Sequence, residues 1–133
     1  MTEQTMKNSH IVSILTGMGT AEGKALQDKR LPIKLLYALR RSLPEVEAAY
    51  KAYLASLTDI SSRYGATPEK ITAKDPEQQE ALVAEVTELL STETAVRVHT
   101  VPPEVLDTCG PGGLDPLTYK DVDRLWWLID PEG

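Results

Sequence analysis

The 133-residue sequence has little cysteine, histidine or aromatic content, and each shortage excludes a kind of structure or site. Cys109 is the only cysteine, so no disulfide forms within the chain and no cysteine cluster exists to hold a metal. The two histidines, His10 and His99, lie far apart in the sequence. With no phenylalanine, two tryptophans and five tyrosines, the core must consist mainly of Leu, Val, Ile and Ala. This composition suits packed helices in an intracellular protein without a cofactor.

Long apolar segments are also absent from the sequence. No apolar run approaches the ~20 residues that a membrane-spanning helix needs. The polar start of the chain lacks the apolar centre of a signal peptide. We therefore expect one domain, with flexible residues 1–8 and no membrane as a partner.

The charges are distributed unevenly along the chain, whose net charge is −6. Residues 1–74 carry eleven Lys or Arg and seven Asp or Glu, for a net charge of +4. Residues 75–133 carry three and thirteen, for a net charge of −10. An acidic protein repels nucleic acid, so we expect no nucleic-acid partner. Three interpretations remain open: separate solvated faces, neutralisation within the fold, or head-to-tail docking of two copies.

The strongest pattern in the sequence is an apolar stripe over residues 36–64. Its residues are spaced alternately three and four positions apart, which is typical of a helix that packs on another helix. They are Leu36, Leu39, Leu43, Val46, Tyr50, Tyr53, Leu57, Ile60 and Tyr64. We predict a long helix over residues 31–65, entered at Pro32 and ended by Gly65.

Pro44 interrupts this predicted helix, because an interior proline removes a hydrogen bond and clashes with the preceding turn, at a cost of about 3 kcal/mol. In one interpretation, Ser42 caps a new helix and Glu45 completes a capping box. In the other, a single helix passes through a kink at Pro44. The stripe keeps its phase across Pro44, which favours a kink or a one-turn break over a sharp corner.

Residues 9–30 are predicted to form a short helix, capped by Asn8 or Ser9, and then a flexible glycine-rich connection. The segment TGMGTAEGK in this region looks at first like a phosphate-binding loop. Its glycine spacing does not fit that loop, and Ala25 follows Lys24 where a Ser or Thr is needed. We therefore expect no phosphate site there.

Asp75 and Pro76 mark the start of an acidic helix over residues 75–91, which we expect to pack antiparallel on the long helix. Residues 94–101 alternate between apolar and polar types, which predicts a strand. A strand is not stable alone, so its partner is either the segment 70–73 or the same strand of another copy. The predicted fold is therefore mainly α, with a small β element near residues 94–101.

A last helix is predicted over residues 117–130, capped by Thr118. It contains five consecutive apolar residues, including Trp126 and Trp127, which cannot all face one core. One tryptophan should then be at least partly exposed, and an exposed tryptophan beside acidic residues is a candidate contact point for a protein. The alternative is that both indoles cover the edge of the core.

A basic stretch precedes and begins the long helix. It consists of Lys29, Arg30, Lys34, Arg40 and Arg41. The stretch has no nucleic-acid recognition motif, so we interpret it as a solvated helix face or as a patch for the acidic half of the chain. The predicted interaction surface combines these cations with two tyrosines of the stripe and both tryptophans: Tyr50, Tyr53, Trp126 and Trp127.

No arrangement of residues in the sequence predicts catalysis. Cys109 has no local signature of an activating base, and a lone histidine on a strand, such as His99, is usually a surface residue. Glu85 and Glu88 lie within one helical turn, but no Glu-x-x-His pair accompanies them, as a two-metal carboxylate site would require. We predict a protein that is not an enzyme and has no catalytic, cofactor-binding or metal-binding residues.

The order of these features resembles a family of small bacteriophage and prophage proteins of unknown function from Gram-positive bacteria. The family has a Lys-Leu-rich long helix closing at Tyr-Gly and an acidic helix ending in Glu-Leu-Leu. It also has a strand of the type Val-x-Val/Ile-His-x-Val and a closing helix that begins with Leu-Thr and continues with a Leu and an Ile. The matching positions, within residues 30–130, are Lys34, Leu35, Tyr64, Gly65, Glu88, Leu89, Leu90, Val96, Val98, His99, Val101, Leu117, Thr118 and Ile129. The chain departs from the family at Pro44 and in its glycine-rich loop 110–113.

The resemblance implies a phage origin and supplies no catalytic residues. The leading prediction is a non-enzymatic accessory protein that acts through protein–protein contacts, in particle assembly or by self-association. One alternative is an inhibitor of a bacterial defence system, which binds a host protein or sequesters a nucleotide signal near residues 29–41. A small enzyme is a weaker alternative. The expected partners are a phage or host protein and the chain itself, in the cytoplasm of the host cell or on the virion.

Overall fold

The structure is a computed structural model that describes residues 2–109 and 115–130. It is mainly helical with a small antiparallel sheet, as the sequence predicts. The predicted glycine-rich loop 110–113 lies outside the described residues. Short 3₁₀ helices occupy Pro76–Gln78, Pro103–Thr108 and Trp126–Leu128. In chain order, the other elements are β1 (Thr2–Lys7), α1 (Asn8–Gly19), α2 (Ala21–Gln27), α3 (Ile33–Arg63), α4 (Gln79–Ser91), β2 (Glu93–Val98) and α5 (Tyr119–Leu125).

β1 and β2 form one antiparallel sheet, in which Thr2 pairs with Val98. The prediction that residues 1–8 are flexible is therefore wrong for β1. We predicted that the strand near residues 94–101 pairs with residues 70–73 or with a second copy. In the structure this strand, β2, pairs with β1 instead. The polar sequence of β1 does not predict a strand, because the backbone groups and not the side chains form the hydrogen bonds between the two strands. Met6 of β1 contributes its buried side chain to the core.

α3 is one uninterrupted helix with Pro44 inside it. The alternative of a new helix capped by Ser42 is wrong, because Ser42 is buried and its Oγ accepts a hydrogen bond from the backbone N of His99 at 2.7 Å. Ser42 therefore joins the end of β2 to the middle of α3. Pro44 has no N–H to donate to the carbonyl of Arg40. Because both residues are exposed, water can donate a hydrogen bond to that carbonyl instead.

The glycine-rich connection that we expected to be flexible is helical. α1 continues to Gly19, and Thr20 caps α2 by accepting a hydrogen bond from the backbone N of Gly23 at 3.0 Å. A side chain at Gly23 would collide with the carbonyl of Gly17 and would place its Cβ 2.8 Å from the Cα of Met18. Gly23 therefore serves close packing of α2 on α1 rather than flexibility.

Two of the predicted helix starts have the expected caps. The side chain of Asp75 caps the 3₁₀ turn before α4, and Thr118 forms a reciprocal capping box with Asp121 at the start of α5. Neither Asn8 nor Ser9 caps α1, contrary to the prediction, because the helix begins after Lys7 without a side-chain cap. The Asn8 side chain is buried and donates to the carbonyl of Leu89 at 2.9 Å, which ties α1 to the end of α4.

The core lies where α3 meets α1, the inner face of the sheet and the C-terminal segment, and it consists mainly of Leu, Ile, Val and Met side chains. The stripe of α3 is covered along its whole length. Leu39, Val46, Tyr53 and Leu57 are buried, and the other stripe residues are partly buried. The stripe therefore does not need a second chain to cover it.

α4 packs antiparallel to α3, as predicted. Glu85 of α4 contacts Arg63 and Tyr64 at the C-terminal end of α3. The chain then returns along α3 until His99 reaches Ser42 in the middle of that helix.

Across residues 2–109 and 115–130, none of the helices combines the length and apolar character that crossing a membrane requires.

Candidate functional site

One ion pair joins the basic stretch to the acidic C-terminal segment, and Arg124 of that segment forms two more. Lys29 Nζ lies 2.7 Å from Asp121 Oδ2, and Arg124 lies 2.7 Å from Glu22 Oε2 and 3.8 Å from Asp121 Oδ1. Burial alone would raise the pKa of the Asp121 carboxyl, but the hydrogen bonds from Lys29 and Thr118 outweigh burial and hold the pKa below its usual range. Part of the opposite charge of the two halves is thus neutralised within the fold.

The other predicted cations lie on the surface. Arg30 is exposed, and its backbone N donates to Asp115 Oδ2 at 2.8 Å. Lys34, Arg40 and Arg41 are exposed on α3. In the part of the chain that the structure describes, the side chains of Lys34 and Arg40 form no ion pair or hydrogen bond. These two cations are therefore available to a partner.

The four aromatic residues of the predicted interaction surface differ in their exposure to solvent. Tyr53 is buried, and its ring centroid lies 5.9 Å from that of the partly buried Tyr50. Burial chiefly raises the pKa of Tyr53, and repulsion between the two phenolates in their ionised forms raises it further. Trp127 is buried, whereas Trp126 is 50% exposed. The expectation of one exposed tryptophan is confirmed, and the tyrosines belong mainly to the core.

An apolar groove that the sequence did not reveal lies at the N-terminal end of α3. Ile33 and Tyr37, one helical turn apart, are 81% and 52% exposed. The groove has a volume of about 420 Å³ and continues over residues 99–102. The rings of Tyr37 and His99 meet edge-to-face, with centroids 5.0 Å apart. Lys34 also lines it, and no acidic residue does so among those that the structure describes. We call these residues the α3 groove.

The outer side of α4 has the opposite charge. Val83 is 47% exposed, and Glu80, Ala84 and Thr87 are exposed beside it at the spacing of one helix face. Glu88 is exposed one turn beyond Ala84. The carboxylates of Glu80 and Glu88 have no ion-pair partner within the described ranges. We call these five residues the α4 face.

A second pocket, of about 450 Å³, lies between α1 and the C-terminal segment. Trp126 and Asp123 stand on one side of it, and Gly17 of α1 stands on the other. Trp127 also lines the pocket, and its buried Nε1 has no hydrogen-bond partner among the described residues. We call this site the tryptophan pocket; its complete lining is His10, Ser13, Ile14, Gly17, Asp123, Arg124, Trp126 and Trp127.

Cys109 and His99, the residues that the sequence offers for nucleophilic catalysis, form no hydrogen bond with each other among the described residues. Burial raises the pKa of the Cys109 thiol, which disfavours the reactive thiolate. His99 packs against Tyr37 in the α3 groove. Within residues 2–109 and 115–130, no group of three or more His, Cys, Asp or Glu is arranged to hold a metal ion.

Comparisons with protein-family models, with curated proteins and with solved structures found no match to this chain. The function therefore has to be inferred from the surfaces described above.

Proposed function

We propose that the protein is a non-enzymatic accessory protein of a bacteriophage or prophage that acts through protein–protein contacts, beginning with contacts between its own copies. The observation that carries this proposal is a pair of complementary surfaces, the basic, apolar α3 groove and the acidic α4 face. The phage setting is supported by the resemblance of residues 30–130 to phage proteins. The defence-inhibitor and enzyme alternatives stay predictions from the sequence, and Lys29, one cation of the suggested nucleotide site, is already paired with Asp121.

The two surfaces lie at opposite ends of α3. The 31 residues of this helix span about 46 Å at ~1.5 Å per residue. The α3 groove begins at Ile33, the first residue of the helix. The α4 face lies beside the last turn, since Val83 is two residues from Glu85, which pairs with Arg63 at 3.5 Å. The two surfaces cannot meet within one molecule, so a second copy is needed to bring them together.

A helix face seated in an apolar groove is a common mode of protein recognition. In the proposed contact, Val83 of one copy occupies the groove between Ile33 and Tyr37 of the next copy. Glu80 then faces the unpaired cation Lys34. Opposite charges at the rim chiefly determine the association rate, the salt dependence and the orientation of the complex. Because the two surfaces differ, the contact is head-to-tail and builds either a closed ring or an open chain.

Sedimentation velocity at several protein concentrations tests this proposal. The wild-type protein is expected to form dimers and larger species at low salt and to dissociate as salt screens the rim charges. Lys34→Glu and Glu80→Lys should each reduce association, because each places like charges across the contact. An equimolar mixture of the two variants should associate again, since the carboxylate introduced into one variant then faces the ammonium group introduced into the other.

Lys51→Glu and Glu47→Lys are the matched controls, since both side chains are exposed on α3 outside the α3 groove. They should leave the association unchanged. A wild-type protein that stays monomeric at millimolar concentration and low salt would contradict the proposal. So would a mixture of the two charge-reversed variants that associates no better than either variant alone.

A further inference from the structure

We propose that the tryptophan pocket binds a guanidinium group, supplied by free arginine or by an arginine side chain of a partner protein. The pocket is built from α1 and the C-terminal segment, and it shares no residue with the α3 groove or the α4 face. Its volume of about 450 Å³ lies in the range of small-ligand sites. The inference therefore stands independently of self-association.

Trp126 gives the pocket an open aromatic face. It is 50% exposed, whereas its neighbour Trp127 is buried at 7%. The face of an indole carries negative electrostatic potential and attracts a cation placed over it, with tryptophan the strongest of the aromatic side chains. An indole left half open beside a pocket is therefore suited to a flat cation.

The unpaired charge of the pocket is negative. Arg124 lines the pocket, but its guanidinium already pairs with Glu22 at 2.7 Å and lies 3.8 Å from Asp121. Asp123 is exposed, and its carboxylate forms no ion pair or hydrogen bond within residues 2–109 and 115–130. A cationic ligand thus meets a free carboxylate, whereas an anion meets an arginine that is already neutralised.

The positions of Asp123 and Trp126 favour a planar cation over a compact one. They lie three positions apart at the end of α5, which places them on the same side of the helical segment. A guanidinium plane can stack on the indole and direct its N–H groups to the carboxylate at the same time. A lysine ammonium has no plane to stack, so arginine should be preferred to lysine.

NMR titration with small arginine compounds tests the proposal, with the two indole N–H signals as the readout. Nα-acetyl-arginine amide should shift the Trp126 signal saturably, with a Kd of about 10–100 mM, as expected for one cation–π contact and one exposed ion pair. The citrulline analogue, which has the same shape without the charge, should not. Nα-acetyl-lysine amide should bind more weakly than the arginine compound.

Asp123→Asn keeps the shape of the side chain and should weaken arginine binding by about threefold or more. Asp107→Asn is the matched control at another exposed aspartate and should bind like the wild type. Tighter binding of Nα-acetyl-arginine amide than of free arginine would assign the pocket to a partner's side chain, and the reverse would assign it to the free amino acid. No saturable shift, an equal response to the citrulline analogue, or unchanged binding by Asp123→Asn would overturn the proposal.

Discussion

At the scale of single residues, Gly23 has a role that its neighbouring glycines do not share. It lies in the first turn of α2, where its backbone N donates to the cap Thr20. A Cβ at this position has no room beside Gly17 and Met18, whereas a Cβ at Gly19 would meet no atom within 4 Å. The close approach of α1 and α2 therefore depends on one glycine of the segment and not on its overall glycine content.

Gly23→Ala should lower the free energy of unfolding by about 1–3 kcal/mol, because the added methyl group forces the two helices apart. Alanine is the better helix former, so local preference alone would predict the opposite sign. Gly19→Ala is the matched control and should be neutral or stabilising by less than about 1 kcal/mol. Urea unfolding of the three proteins measures both effects, and equal stability of the two variants would contradict the packing role of Gly23.

At the scale of elements, the contact between α3 and β2 depends on a polar residue in the core. Ser42 is fully buried on α3, and its hydroxyl accepts the backbone N–H of His99 directly after β2. The bond fixes where the strand ends on the helix, and it places His99 beside Tyr37 in the α3 groove. The groove is therefore positioned by a contact between two elements that are distant in sequence.

Ser42→Ala should lower the free energy of unfolding by about 1–2 kcal/mol, since it leaves a partly buried donor without its acceptor. The amide of His99 should also exchange with solvent faster, because its hydrogen bond is lost. Ser56→Ala, at an exposed position of the same helix, should be neutral or slightly stabilising. Hydrogen-exchange NMR makes both comparisons, and an unchanged His99 amide in Ser42→Ala would refute the role of the hydroxyl.

At the scale of the whole molecule, opposite charges both hold the fold together and remain on its surface. The pair of Lys29 with Asp121 joins the loop before α3 to α5. Arg63 and Glu85 form a further pair between the two halves. Among the described residues, Lys34 of the α3 groove and the two glutamates of the α4 face form no ion pair, and they lie at separate ends of the long helix. Internal neutralisation therefore involves other residues than the head-to-tail docking that we propose.

Asp121→Asn should lower the free energy of unfolding by about 1–3 kcal/mol at pH 7, because it removes the buried charge that Lys29 and Arg124 face. The folded-state pKa of Asp121 lies below its unfolded value, which is about 3.9. Its ionised form therefore stabilises the fold above that pH, and this contribution is lost as the pH falls through the folded pKa.

Urea unfolding between pH 3 and pH 7 checks this prediction. The stability difference between the wild type and Asp121→Asn should be largest at neutral pH and should shrink in acid. Asp107→Asn, at an exposed position, should differ little from the wild type throughout. A difference for Asp121→Asn that does not change with pH would mean that the ion pairs do not stabilise the fold.

Most elements of this fold could be predicted from the sequence, because their signals are local. The stripe predicts a helix over residues 31–65, and the structure has α3 from Ile33 to Arg63. Gly65 ends it with a φ of 70°, a backbone conformation that favours glycine. The capping box of Thr118 also depends only on neighbours in the chain. Such patterns determine the start, the end and the buried side of a helix.

The tertiary structure alone decided which surfaces are covered. β1 has a polar sequence and forms a strand because β2 supplies its backbone partners. The stripe of α3 is covered by α1, α4 and the sheet, whereas Ile33 and Tyr37 outside the stripe are exposed. The sequence determined the helices other than α2 and the opposite charge of the two halves. The sites depended on the fold, because exposure and charge pairing are properties of residues that meet only after the chain has folded.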